Sequence, residues 1–110
     1  MRFLSRPEEL ILLTIWKLGE GAYCVPIRET VSALSGRDWS FGAVYVPLGR
    51  LEKKGLIKSR LDAPTKVRGG RGKRYYAVTP SGLKSLAEMR ELHDTMWQDI
   101  PPIAAGKIPS

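Results

Sequence analysis

Between Pro7 and Leu18 the chain is apolar at Leu10, Ile11, Leu12, Leu13, Ile15, Trp16 and Leu18, positions that surround nearly the whole circumference of a helix. This pattern predicts a first helix buried on more than one side rather than an amphipathic surface helix. Ser5, with Glu8 three residues on and Pro7 between them, has the spacing of a capping box, and Gly19 and Gly21 stop the element. A second helix, from about Pro26 to Leu34, carries Ile27, Val31 and Leu34 at three- and four-residue spacings, with Arg28 and Glu29 outside. Ser35, Gly36 and Arg37 form the turn that follows.

Ser40 caps a third helix that reaches about Lys54 and is ended by Gly55. On a helical wheel Phe41, Val44, Leu48 and Leu51 share the core face, while Ala43, Val46, Arg50, Lys53 and Lys54 share an open and increasingly basic one. Pro47 lies inside this pattern and costs about 3 kcal/mol relative to Ala, which predicts a kinked helix rather than none. Leu56 to Leu61 and Tyr75 to Thr79 read as two strands of a long hairpin, separated by a segment rich in Gly, Pro and basic residues. Thr79 or Ser81 begins a fourth helix that runs to about Ile100 and stops at Pro101 and Pro102.

Three helices and a two-stranded hairpin, in that order, give a mainly α (α+β) fold: a winged helix-turn-helix with a basic wing and an added C-terminal helix for dimerisation. Residues 1–79 are expected to form the DNA-binding domain, 80–100 the dimerisation helix and 101–110 a flexible tail. Hydrophobic residues make up 43% of the chain and charged ones 26%, so it belongs with globular rather than disordered sequences.

The net charge of +7 favours a polyanion, because Lys and Arg that neutralise phosphates release condensed counterions. Almost all of it sits on the hairpin: Lys58, Arg60, Lys66, Arg68, Arg71, Lys73 and Arg74 face a single acid, Asp62. Beside a basic third helix this is an electrostatic footprint for a phosphate backbone, the alternative being a solvated loop. Gly69, Gly70 and Gly72 would let the wing tip approach sugar and phosphate closely. The run "VRGGRGKRYY" is no nucleotide-binding loop, since Arg74 follows Lys73 where a hydroxyl is needed, and Tyr75, Tyr76 and Val78 resume a strand.

Double-stranded DNA is therefore the expected partner, and the candidate contacts are Ser40, Phe41, Gly42, Ala43, Tyr45 and Arg50 of the third helix with Lys66, Arg68, Arg71, Lys73 and Arg74 of the wing. Tyr45 reads equally as a half-buried packing residue with a wet hydroxyl. Catalysis has little to stand on: His93 is the only histidine, Cys24 the only thiol, and no cluster has metal-ligand spacing, so no enzyme activity, cofactor or metal is expected. His93 falls within the apolar face of the fourth helix, among Leu83, Leu86, Met89, Met96, Trp97 and Ile100. That face spans about half the helix, wider than docking on one small domain requires, so Leu83, Leu86, Met89, Arg90, His93, Met96 and Trp97 are expected at a homodimer interface. The alternative is a fourth helix folded entirely against its own first helix.

A single cysteine fits a reducing compartment, and the cytoplasm is the expected location. Arg2, the short apolar run and Cys24 faintly resemble a lipoprotein signal, but Glu8 and Glu9 interrupt the run and Tyr23 stands where a small residue is needed. The chain is accordingly expected to be soluble, unprocessed and free of the membrane. The competing reading is a winged-helix module that binds protein or structured RNA without operator specificity.

The segment "GAVYVPLGRLEKKGLIKSR", a basic wing and "GGRGKRYYAVTPSGLKSL" together resemble the PadR family of bacterial regulators from about Leu10 to Trp97. The shared features are Tyr45 and Pro47 in the third helix, the Leu51 to Leu56 helix end, the Gly-Arg wing, Tyr75-Tyr76 and Thr79-x-x-Gly82. The resemblance implies a dimeric repressor whose third helix contacts bases, whose Tyr45 meets phosphate and whose wing meets the adjacent groove. It also implies dimerisation through the last helix and the N-terminal region. The chain is similar to the short members, which have one C-terminal helix. Some of these hold a flat hydrophobic molecule between subunits against a tryptophan of the last helix, so Met96 and Trp97 are candidates for a small hydrophobic effector. Trp97 stands about one turn later than that tryptophan, and Cys24 occupies a place where the family often has glycine. A thiol switch or a small buried residue are the two readings of Cys24.

Overall fold

The computed structural model describes residues 3–62, 72–104, 106 and 108–109. The Ser5 hydroxyl accepts from the Glu8 amide and the Glu8 carboxylate accepts from the Ser5 amide, closing the expected capping box at the head of α1 (Arg6–Leu18). A 3-10 turn, Gly19–Gly21, leads into α2 (Cys24–Ser35), which starts two residues before the expected Pro26. Proline is tolerated there because amides of the first helical turn have no partner within the helix. Gly36 ends α2 in the left-handed region, at φ 71° and ψ 16°.

Ser40 caps α3 (Phe41–Lys53) by accepting from the Ala43 amide, and the helix continues through Pro47. Pro47 is buried, while Ala43, whose carbonyl loses its helical donor at this proline, lies on the exposed side where water can replace it. Gly55 turns the chain into β1 (Ile57–Leu61), which pairs antiparallel with β2 (Arg74–Val78), Ile57 opposite Val78 and Leu61 opposite Arg74. The Tyr76 amide donates to the Ala22 carbonyl at 2.8 Å, so the segment before α2 lies along the free edge of β2. Thr79 caps α4 (Pro80–Trp97) and donates its hydroxyl to the Gly55 carbonyl at 2.7 Å. A Cβ at Gly82 would collide with the Leu56 carbonyl oxygen, so only glycine lets α4 rest on the root of the hairpin. The result is a mainly helical winged helix-turn-helix.

One core joins Ile11, Leu12 and Ile15 of α1, Ile27 and Val31 of α2, Val44, Leu48 and Leu51 of α3, and Leu56, Ile57 and Tyr76 of the hairpin. Several expectations fail around its edge. Leu13 and Trp16 are 43% and 54% exposed, so within one chain α1 is not enclosed on all sides. Leu34, expected in the core, is 67% exposed because it lies on the last turn of α2, beyond the covered part of that helix. Lys54, expected on the open basic face, instead reaches back to the carboxylate of Glu8. Glu8 is only 4% exposed, and a buried carboxylate requires a counter-charge. Burial pushes the Glu8 carboxyl up, but the Lys54 ammonium and the Ser5 amide and hydroxyl more than reverse this and hold it below the ordinary carboxylate value. Finally, α4 stops at Trp97 rather than Ile100, with Asp99 at φ 64°. The ring of Pro101 would strike the Trp97 carbonyl if the helix continued.

Candidate nucleic-acid interface

Burial of Val44, Pro47, Leu48 and Leu51 fixes the rotation of α3 about its axis. Ser40, Gly42, Ala43, Tyr45, Val46 and Arg50 consequently face solvent, most with side chains short enough for another surface to approach the helix closely. The turn into α3 is built by α2. Arg28 donates from Nε to the Trp39 carbonyl at 2.7 Å, and Ser32 accepts from the Trp39 amide at 3.1 Å. Arg28 also lies over the ring of Phe41, its guanidinium carbon 4.8 Å from the ring centroid. Phe41 is thus half-exposed rather than a core residue, held to α2 by the cation above it. Arg28, expected to be a bystander on the outer face, organises the turn.

A groove of about 480 Å³ runs beside the outward face of α3, lined by Arg37, Asp38, Trp39, Gly42, Val46 and Arg50 among others. Arg37 and Arg50 give it two guanidiniums. Sequence reasoning left Arg37 out, although a basic residue in the turn entering a recognition helix was a usable signal. Tyr45 is 55% exposed. The Cys24 side chain beside it raises its phenol above the ordinary value.

On the hairpin, Lys73 and Arg74 are exposed at the outer end of β2, beside Arg60 and Leu61 of β1. Arg74 donates to the Ser59 hydroxyl at 3.0 Å, Ser59 donates to Glu52 of α3, and Arg60 pairs with Asp62. Lys66, Arg68 and Arg71, together with Gly69 and Gly70, lie outside the described residues. At Gly72 a Cβ would collide with the Asp62 carbonyl oxygen, so glycine there lets the two arms close on each other.

The α4 residues divide into three groups. Met89 is buried against its own chain. Leu83, Leu86, Arg90 and His93 line a groove with Leu13 and Trp16 of α1, and His93 Nε2 lies 3.1 Å from Glu9 Oε1. Past that contact Met96 and Trp97 are 68% and 50% exposed. Among the described residues no helix is long and apolar enough to cross a membrane, and no group of His, Cys, Asp and Glu is placed to hold a metal ion.

The model of the transcriptional regulator PadR-like family matches residues 12–88. The fold is similar to that of RosR from H. salinarum, with a TM-score of 0.69 and 21% identity over 91% of this chain and 83% of that one. It is also similar to a PadR family transcriptional regulator from Eggerthella lenta, with a TM-score of 0.64 and 28% identity over 79% of this chain and 73% of that one. A PadR-like transcriptional regulator from Bacillus cereus gives a TM-score of 0.65 and 26% identity over 81% of this chain and 82% of that one. No curated protein sequence matches the chain.

Proposed function

The chain belongs to the PadR-like family of transcriptional regulators, and from that premise we propose that it binds a two-fold operator duplex as a homodimer and represses transcription there. The observation that carries this reading is the open outward face of α3, flanked by Arg37 and Arg50, on a helix whose Glu52 accepts from Ser59 of the basic hairpin. Ser40, Phe41, Gly42 and Ala43 at the start of α3 would meet base edges, while Tyr45 and Arg50 hold phosphate. Lys66, Arg68, Arg71, Lys73 and Arg74 would follow the neighbouring backbone. On this reading residues 1–79 bind DNA, 80–100 dimerise and 101–110 form a tail, and the protein works in the cytoplasm by binding, without catalysis.

Support for the dimer comes from Leu13 and Trp16 together with Leu83, Leu86, Arg90, His93, Met96 and Trp97, with Met89 buried beneath them. A second copy covering this face would supply the second recognition helix, and a two-fold operator is read by two such helices about 34 Å apart, one turn of duplex. Met96 and Trp97 would then face the space between subunits and take a flat hydrophobic effector. Unchanged Trp97 fluorescence across a panel of such compounds removes the effector from the reading.

The test is titration with the duplex upstream of the protein's own coding sequence and with a scrambled duplex, at two salt concentrations. The expected outcome is preference for the first, and Arg50→Ala and Arg71→Ala each lower the salt slope by about 0.9 with fold and dimer intact. Unaltered affinity in both variants would remove the site assignment. Equal, salt-sensitive binding to both duplexes would leave a basic winged helix without operator specificity, the behaviour of an interaction module.

A further inference from the structure

The inner half of the wing is anchored by core residues, since Ile57 and Tyr76 are buried, but its outer half carries Arg60, Leu61, Lys73 and Arg74 into solvent. A two-stranded hairpin alone is marginally stable in water, so something must hold those outer residues in place. The structure supplies a run of contacts across three segments. The Arg60 guanidinium lies 4.8 Å from the ring centroid of Tyr75, its direct partner across the hairpin. Tyr75 meets Tyr23 edge to face at 5.4 Å. The Lys73 ammonium lies 4.6 Å from the ring centroid of Tyr23. Tyr23 is the residue before α2 and follows Ala22, whose carbonyl accepts the Tyr76 amide, so this ring is fixed to the body of the domain. Lys73 therefore has an aromatic face beside it, and Arg60 is held by the Tyr75 ring and the Asp62 carboxylate while keeping 65% of its side chain exposed.

We infer that Tyr23 and Tyr75 are positioning residues for DNA binding, setting Lys73 and Arg60 in place before a phosphate reaches them; this rests on the DNA reading above. Neither ring touches DNA. Their effect is to remove, ahead of binding, part of the cost of immobilising two long side chains and the strands that carry them. The contacts use ring faces and edges and not the Tyr23 hydroxyl, so phenylalanine should serve at position 23 where leucine does not.

The experiment measures affinity of the full chain for the duplex upstream of its own coding sequence, across a salt series, for wild type, Tyr23→Leu, Tyr23→Phe, Lys73→Met and the Tyr23→Leu/Lys73→Met double variant, with thermal midpoints alongside. Tyr23→Leu is expected to lose about tenfold in affinity with an unchanged midpoint, and Tyr23→Phe to bind as wild type. In the Lys73→Met background, Tyr23→Leu should cost clearly less than it does alone, because two residues acting through one contact are not additive. A folded Tyr23→Leu that binds as wild type, a Tyr23→Phe as weak as Tyr23→Leu, or full additivity with Lys73→Met overturns the inference while leaving the DNA reading in place. Should Tyr23→Leu fail to fold, the same comparison is made with Tyr75→Leu, Tyr75→Phe and Arg60→Met. A wild-type chain without salt-sensitive duplex binding overturns the DNA reading itself, and this inference with it.

Discussion

The body formed by α1 to α3 and the helix α4 both carry large apolar residues but cover them to different extents. In the body, Ile11, Leu12, Ile27, Val44 and Leu51 are all completely buried, each against side chains from another element of the same chain. Along α4 only Gly82 and Met89 are buried, while Leu83, Met96, Trp97 and then Ile100 remain exposed. The first region has these residues covered by its own helices and by Leu56, Ile57 and Tyr76 of the hairpin. The second has apolar surface that its own chain leaves uncovered, and its apolar stripe continues onto Leu13 and Trp16 of α1. The face proposed to read DNA therefore rests on the region whose apolar residues are covered within the chain, and the face proposed to pair the subunits on one whose apolar residues are not.

The largest effect that separates the two regions is a cavity in the first. Leu51→Ala, at a fully buried position on α3, is expected to cost about 2–5 kcal/mol in urea unfolding. It should also weaken DNA binding, because Leu51 fixes the rotation of the helix that carries Arg50. A cost below about 1 kcal/mol would mean that the body is loosely packed and the contrast with α4 is false.

A smaller effect should come from Met96→Asp on α4. Substitution at an exposed position away from packed partners changes the stability of a single chain by about 0.5 kcal/mol or less. Its consequence should appear in assembly instead: the wild type sediments as a dimer with a thermal midpoint that rises with protein concentration, and Met96→Asp loses both properties. A wild type that stays monomeric at every concentration, or a variant that remains dimeric, would break the comparison at its second term.

How much of this was legible in the chain follows the reach of each interaction. The caps at Ser5, Ser40 and Thr79 and the stop at Gly55 are chemistry of adjacent residues, and all stand where the sequence puts them. The outward face of α3 was also readable, because helical periodicity decides it. Lys54 was not, since its partner Glu8 is 46 residues away. Phe41 has core periodicity, yet Arg28 of α2 holds it at the surface. The end of α4 was overshot by three residues because a proline acts back on the carbonyl four positions before it. Arg37 offered a signal by its place in the turn entering α3, whereas Tyr23 carries no distinctive local pattern and only the folded chain brings it beneath Lys73.

The smallest effect concerns the one charge that the body does bury. Glu8 closes the cap of α1 and pairs with Lys54 just beyond the last turn of α3, and its carboxyl lies below the ordinary value of 4.5 in the folded chain. A carboxyl depressed on folding contributes stability that is fully present above its unfolded value and is lost as pH falls through its folded value. Wild-type stability should therefore decline more steeply than that of Glu8→Gln from about pH 4.5 downwards. The amide oxygen of that variant would keep the contact with the Ser5 amide, but its NH2 group cannot accept from Lys54, so its level of stability falls for two reasons and the comparison lies in the slope of stability against pH. Parallel slopes for the two proteins in urea unfolding across that window would mean that Glu8 is no better stabilised as an anion in the folded chain than in the unfolded one. The core beneath α1 and α3 would then be sufficient to set their relative position without the ion pair at its edge.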